Sequence, residues 1–250
     1  MDDSVIDKIA NSIDYKENNM VIEIGPGSGN LTKKLLNRAD FVLLYEIDTR
    51  LKKILIKELY EYNNYDIIWD DFLYRDVKSD IKKYDYKNVY IVANLPYYIT
   101  TPIVSKFVME MIPANEIVIM IQKEVADRLS ADVGTREYGQ ITVLLNYFFN
   151  ITKVIDVDRS AFYPTPNVDS AVIKMVRKDN LEKLKSFEHF DKLVKDSFQF
   201  KRKTIKNNLI NKYDINIVSK ILEKYGYDLT MRSEKIPYYV FVEISNELLK

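Results

Sequence analysis

Along the first 130 positions, short strand-like apolar runs alternate with longer stretches that have helical spacing. Runs of β-branched and aromatic residues predict five strands, at residues 20–24, 41–45, 67–69, 89–93 and 116–121. Apolar residues three or four positions apart predict helices at 4–13, 30–38, about 49–62, after 102 and at 123–129. This alternation is typical of an α/β fold, a parallel sheet with helices on both faces.

The second half of the chain has a different pattern. Residues 141–149 are too uniformly apolar to assign, and residues 154–157 and 171–176 predict an antiparallel pair of strands. Segments rich in Lys and Glu follow, with helical spacing at about 187–200, 202–211, 215–225 and 234–249. We therefore expect an α/β domain over residues 1–178 and a small all-helical domain over residues 179–250.

Composition excludes several classes of site. The chain has no cysteine, which rules out disulfides, thiolate nucleophiles and thiolate metal sites. Its one histidine, His189, is expected at the surface without a partner, so neither histidine catalysis nor a metal site is expected. No apolar run approaches the ~20 residues of a membrane helix, and the acidic N-terminus is unlike a signal peptide. We expect a monomeric cytoplasmic protein with no membrane partner.

Charge is unevenly distributed although the net charge is zero. Residues 1–176 carry 21 Lys and Arg against 26 Asp and Glu, whereas residues 177–250 carry 16 against 11. A polyanion would therefore meet the C-terminal part.

Three predicted strands end in residues suited to an adenosyl ligand. A glycine loop follows the first strand and its Glu23, where the backbone can approach a ligand at a helix N-terminus; its glycines are Gly25, Gly27 and Gly29. Glu46 ends the second strand, where an acid can bind a ribose diol, and Asp71 ends the third. The loop alone also fits a structural turn or an NAD site, but its G-x-G-x-G spacing differs from G-x-G-x-x-G.

The fourth strand ends in Asn94, Leu95, Pro96 and Tyr97. The amide of Asn94 accepts and donates hydrogen bonds without ionising near neutrality, so it can hold an amino group. Pro96 lacks an N–H and fixes the turn, while Tyr97 offers a face for stacking. These features suit an exocyclic amine on a planar base such as adenine, although an ordinary turn has the same pattern.

Eight motifs occur in order along the chain, at residues 23–29, 46–48, 71–73, 94–100, 122–128, 138–139, 162–170 and 201–209. Together they resemble the KsgA-type small-subunit rRNA adenine-N6,N6-dimethyltransferases, whose catalytic half is shared by the Erm methyltransferases. The resemblance implies a Rossmann-like class I methyltransferase sheet that binds S-adenosyl-L-methionine. Its implied cofactor-binding residues are Glu23, Gly25, Gly27, Gly29, Glu46, Ile47, Asp71, Phe72 and Asn94.

The same resemblance implies how the substrate is held. Asn94 and the Pro96 carbonyl would bind the target N6, with Tyr97 stacked on the base and Phe162 as a second aromatic wall. The residues implied to meet RNA phosphates are Lys201, Arg202, Lys203 and Lys206.

The expected activity is dimethylation of two adjacent adenosines in a loop near the 3′ end of small-subunit rRNA, with the 30S particle as partner. Two alternatives stay open: an Erm-like enzyme acting on large-subunit rRNA, and a ribosome-assembly factor with weak or no catalysis. The second arises because the family pattern has a Gln-Asn-Phe-Leu motif before the stretch that aligns with residues 2–7, and this chain begins after it. We expect the N-terminal side of the cofactor site to be more open as a result.

Overall fold

The computed structural model describes residues 2–249, and within them the strands form a seven-stranded sheet in the order β3-β2-β1-β4-β5-β7-β6. The strands are β1 Asn19–Ile24, β2 Phe41–Tyr45, β3 Tyr65–Ile68, β4 Asn88–Asn94, β5 Glu116–Gln122, β6 Phe149–Val157 and β7 Ser170–Arg177. The first five pair in parallel, and β7 runs antiparallel to β5. Helices cover both faces, which confirms the predicted α/β class.

The helices are α1 Asp3–Asn11, α2 Asn30–Leu36, α3 Lys52–Glu58, α4 Val77–Ile81, α5 Thr100–Met109, α6 Lys123–Leu129, α7 Gln140–Phe148, α8 Phe187–Ser197, α9 Ile205–Leu209, α10 Ile215–Lys224 and α11 Tyr238–Leu248. Helix α7 is the uniformly apolar segment that the pattern leaves unassigned. Helix α4 has only five residues, and the pattern does not predict it.

Strand β1 is buried along its whole length, as expected for a parallel strand covered on both faces. Side chains of α1 and α2, among them Ile9 and Leu35, pack in one cluster with Val21 and Val42 of the sheet. Each fully buried aliphatic side chain contributes about 1.5–3 kcal/mol to folding. This core fixes the strand ends on which the site depends.

The register of the sheet aligns those strand ends. Ile24 of β1 lies opposite both Tyr45 of β2 and Ala93 of β4. The next residues of the three strands therefore emerge side by side at the carboxyl edge, where open α/β sheets bind ligands. They are Gly25, Glu46 and Asn94.

By its contacts the chain divides into two compact units, Met1–Ala126 with Ile151–Arg177, and Asp127–Asn150 with Lys178–Lys250. The first unit ends at Arg177, next to the domain boundary expected near residue 178. The second unit also includes residues 127–150, because α7 packs against α8 and α11 within it. That unit is mainly helical.

The prediction of a partnerless surface His189 is wrong. The histidine is half-buried, and its Nδ1 lies 2.8 Å from Ser245 Oγ because α8 and α11 pack together. Burial lowers the pKa of His189. Between residues 2 and 249, every helix is too short or too polar to span a membrane.

Candidate active site

The glycine loop leaves open space above its backbone. Gly25 and Gly27 have φ of +72° and +59°, and a Cβ built on either would meet no atom within 4 Å. L-residues rarely adopt these angles, and a side chain at either position would fill the open space. The Gly27 N–H donates to Glu46 Oε2 at 3.1 Å, which fixes the loop against the end of β2.

Gly29 has a different role from the two glycines before it. It is the N-cap of α2 with φ of +86°, and a Cβ there would lie 3.0 Å from Leu55 Cδ1. The left-handed φ and the close packing against Leu55 both favour glycine at this position.

Glu46 is an acceptor held in place by the backbone. The side chain is buried, and its Oε1 accepts from the Asp48 N–H at 2.8 Å while Oε2 accepts from Gly27. Each carboxylate oxygen keeps capacity for a second donor. Beside it, Ile47 is 65% exposed and offers an apolar surface at the same edge.

Glu23 is a buried acid with an unsatisfied oxygen. It is 2% exposed, and its Oε2 has no hydrogen-bond partner among residues 2–249. Burial raises the pKa of Glu23 to about 8; the Thr32 hydroxyl acts in the opposite direction, and the charge of Glu46 adds to the rise. Such an orphan acceptor fits the N–H or O–H donors of a polar ligand.

Asp71 and Phe72 are neighbours in the chain, but Asp71 has a carboxylate oxygen available to a ligand whereas the Phe72 ring is buried. Asp71 Oδ1 accepts from the Leu73 N–H at 2.9 Å and caps a short turn, which leaves its second oxygen for a ligand. The Phe72 ring is buried edge-on against Tyr45 at 5.1 Å and also contacts Phe107. Phe72 therefore supports the turn from within the core.

The residues implied to hold the target base lie together around one pocket of about 260 Å³. Asn94 is exposed at the end of β4, beside the glycine loop. The pocket is lined by Asn94, Leu95, Pro96, Tyr97, Phe162, Pro164, Pro166 and Ser170. No Asp, Glu, Lys, Arg or His is among these residues.

Ser170 is a pocket residue that the sequence did not single out. It is buried at the start of β7, and its Oγ lies 3.0 Å from the Tyr97 hydroxyl. This hydrogen bond joins residues 73 positions apart, so no local pattern reveals it. It fixes the Tyr97 ring against the sheet.

The turn after Asn94 decides which carbonyls face a ligand. The Pro96 carbonyl accepts from the Ile99 N–H at 3.1 Å and, at a longer 3.4 Å, from the Thr100 hydroxyl. Both lone pairs are thereby engaged within the turn. The Leu95 carbonyl accepts no hydrogen bond from residues 2–249, which makes it the better acceptor for a substrate amine.

Four cations predicted to bind RNA, Lys201, Arg202, Lys203 and Lys206, are all exposed in the second unit. The first two line a cavity of about 510 Å³ together with three cations that the sequence did not point to. These are Arg136, Arg232 and Lys235. Because they come from separate segments, their clustering appears only in the fold.

Residues 2–249 contain no group of three or more His, Cys, Asp or Glu side chains arranged to hold an ion.

The whole chain, residues 1–250, matches the family model described as "Ribosomal RNA adenine dimethylase". Two curated relatives are both named "Ribosomal RNA small subunit methyltransferase A". The one from Staphylococcus haemolyticus is 39% identical, over 99% of this chain and 86% of the relative. The one from Bacillus pumilus is 40% identical, over 100% of this chain and 88% of the relative.

Two solved structures share the complete fold, each with a TM-score of 0.80. A dimethyladenosine transferase from Plasmodium falciparum is 29% identical, over 96% of this chain and 94% of that one. The 23S rRNA methyltransferase ErmE is 27% identical, over 100% and 99%. These matches confirm the resemblance drawn from the eight motifs. The chain belongs to the ribosomal RNA adenine dimethylase family.

Proposed function

We propose that this protein transfers methyl groups from S-adenosylmethionine to N6 of two adjacent adenosines in a loop near the 3′ end of small-subunit rRNA. One observation carries the proposal: Asn94, Tyr97 and Phe162 surround a pocket at the sheet edge that also holds the glycine loop. The names of the relatives support the small subunit as the substrate. The protein acts as a monomer in the cytoplasm, where 30S particles are assembled.

The residues at the carboxyl edge fit S-adenosylmethionine. The open backbone at Gly25 and Gly27 admits a ligand, and the unsatisfied Glu23 oxygen can accept from it. Glu46 would bind the ribose hydroxyls, and Asp71 with the exposed Ile47 would meet the adenine. When bound, the cofactor supplies a methyl group activated by a positively charged sulfur.

The chain's own contribution is to orient the acceptor nitrogen. N6 of adenine is a weak nucleophile because its lone pair is delocalised into the ring. The Asn94 side-chain oxygen and the Leu95 carbonyl accept its two N–H bonds and favour a pyramidal nitrogen. Tyr97 and Phe162 hold the base from its faces. Orientation of this kind supplies on the order of 7–11 kcal/mol of the barrier.

Proton release needs no side-chain base. Methylation would leave the nitrogen positively charged and acidic, and its proton would then leave to water. The absence of acids and histidine among the pocket residues agrees with this route. The second transfer starts from a monomethylated nitrogen with one N–H left, which needs one acceptor and space for the first methyl group.

The target base reaches the pocket only when it is unstacked. The helical unit binds the surrounding rRNA through its exposed cations Lys201, Arg202, Lys203 and Lys206, supported by the cavity that Lys201 and Arg202 share with Arg232. Phosphate contacts of this kind set position without reading sequence.

The test is methyl transfer by Asn94→Ala. We expect loss of a key acceptor to lower incorporation of tritiated methyl groups into 30S particles by about 100-fold or more, since this interaction orients the reacting atom. Calorimetry should show a much smaller loss of S-adenosylmethionine affinity than of methyl transfer, because Asn94 is only one of the residues implied to bind the cofactor. Equal incorporation by parent and variant would refute the assignment of Asn94.

The likeness to ErmE motivates the Erm-like alternative, in which the substrate is large-subunit rRNA. A methyl-transfer assay with 30S and 50S particles side by side distinguishes it from the proposed function. Mapping the methylated base to the small subunit supports the proposal, and mapping it to the large subunit replaces it. An assembly factor without catalysis would bind 30S particles but release no heat with S-adenosylmethionine.

A further inference from the structure

Two tyrosines that adjoin pocket-lining residues in the chain are almost wholly exposed. Tyr163 is 97% exposed and Tyr98 is 83% exposed, and with Tyr74 at 85% they are the most exposed large apolar or aromatic side chains in residues 2–249. Two of these three rings therefore belong to residues that adjoin lining residues of a single pocket in the chain. A ring held in water is free to stack on a partner with its full face.

Each exposed ring is attached to an anchored backbone. Tyr98 lies in the 3-10 turn Tyr97–Ile99, directly after Tyr97, whose hydroxyl is bonded to the buried Ser170. The turn is closed by the Ile99 N–H donating to the Pro96 carbonyl at 3.1 Å. Tyr98 is therefore presented to solvent by a firmly held turn.

The loop that carries Tyr163 is anchored in the same way. Tyr163 stands between Phe162, which packs against the core, and Pro164, and both of these neighbours line the pocket. Just before them, the Ala161 carbonyl accepts from the Asp2 N–H at 2.9 Å. The two rings are thus carried by separate segments of the same unit, each segment contributing lining residues to the pocket.

We infer that Tyr98 and Tyr163 stack on the unpaired nucleotides that flank the target adenosine. The inference rests on the proposed function. If two adjacent adenosines are modified, the neighbour of the base in the pocket lies one nucleotide away, at the rim. Every base has a π-face, so exposed rings bind unpaired bases without requiring a particular sequence. The rings keep the loop splayed while one base after the other enters.

The experiment compares paired variants with 30S particles as substrate. Tyr98→Leu and Tyr163→Leu keep an apolar side chain but remove the ring, whereas Tyr98→Phe and Tyr163→Phe keep the ring. We expect each Leu variant to raise KM for 30S particles about 5- to 20-fold, with kcat nearly unchanged. The Phe variants should match the parent. Affinity for S-adenosylmethionine, measured by calorimetry, should be the same in all.

Matched controls are Tyr74→Leu and Tyr60→Leu, since these rings are 85% and 75% exposed but neither residue adjoins a pocket-lining residue in the chain. Both should behave like the parent. Equal KM values for the Leu and Phe variants would overturn the inference, and so would an equal rise in the controls. If the Phe variants raise KM as much as the Leu variants do, the tyrosines act through their hydroxyl groups and not through stacking. If the parent transfers no methyl group to 30S particles, both the proposed function and this inference are refuted.

Discussion

The carboxyl group of Glu23 is buried and has almost no contact with water. It lies in β1 with one oxygen unpartnered within residues 2–249, and burial raises its pKa to about 8 against an ordinary value of 4.5. The folded chain therefore keeps a proton that the unfolded chain releases. Stability from this group is fully present below about pH 4.5 and declines as pH rises to 8, because the folded state binds more protons over that interval.

Glu23→Gln should remove this dependence, since the amide stays neutral. We expect the variant to gain Tm relative to the parent as pH rises, with a larger difference at pH 8.5 than at pH 5. Thermal unfolding followed by circular dichroism at both pH values measures it. Glu61→Gln, at an exposed position, is the control and should leave the curve of the parent unchanged. A Tm difference that is the same at both pH values would contradict a proton held by Glu23.

For single residues, the sequence predicts which ones follow the strands. It does not predict contacts between residues that are far apart in the sequence. Gly25, Glu46 and Asn94 are found because strand ends in a parallel sheet share one edge. The Phe72 ring points into the core because it lies in a short 3-10 turn. The in-and-out alternation of a strand does not continue through that turn, so it could not predict the direction of the ring. The hydroxyl pair of Tyr97 and Ser170 has no local signature at all.

Among the elements, α4 shows how tertiary contacts can stabilise a helix that periodicity does not predict. Its five residues are too few for a helical pattern. Asp80, buried on this helix, accepts from Arg75 at 2.7 Å, Lys83 at 2.8 Å and the Tyr45 hydroxyl at 3.1 Å. The network joins α4 to β2 and to the segment that follows Asp71, so it supports the cofactor edge of the sheet.

Asp80→Asn should cost about 3 kcal/mol of unfolding free energy, the lower end for a broken buried ion pair, because Arg75 and Lys83 keep contact with water. Burial alone would raise the pKa of Asp80, but its hydrogen bonds to Arg75 and Lys83 lower it overall. The stability it provides is present above the ordinary carboxyl pKa and is lost in more acidic solution.

Urea unfolding of the Asp80→Asn variant measures this cost. The control is Glu58→Gln, which breaks the exposed pair with Lys33 and should cost less than about 1 kcal/mol. Equal losses for the two variants would show that the Asp80 network adds no more than a surface pair.

For the whole molecule, the sequence predicted a helical C-terminal part, and the helices α8 to α11 confirm it. It did not reveal that residues 127–150 join that unit, because membership depends on packing of α7 against α8 and α11 rather than on chain order. The clustering of cations has the same origin. Arg136 and Arg232 lie 96 positions apart in the chain (232 − 136) yet line one cavity with Lys201 and Arg202.

This distribution of charge makes a quantitative prediction for rRNA binding. Each cation that contacts a phosphate releases about 0.7–0.9 counterions, so removing it lowers the slope of log Kd against log salt by that amount. The variant in which Lys201, Arg202 and Lys203 are all replaced by Ala should lose about 2–3 units of slope. Filter binding to 30S particles over a series of KCl concentrations measures it. Lys212→Ala is the matched control, because the Lys212 ammonium is already paired with Asp196 at 2.5 Å. If the triple variant keeps the slope of the parent, these residues do not neutralise phosphates, and binding depends on cations elsewhere in the chain.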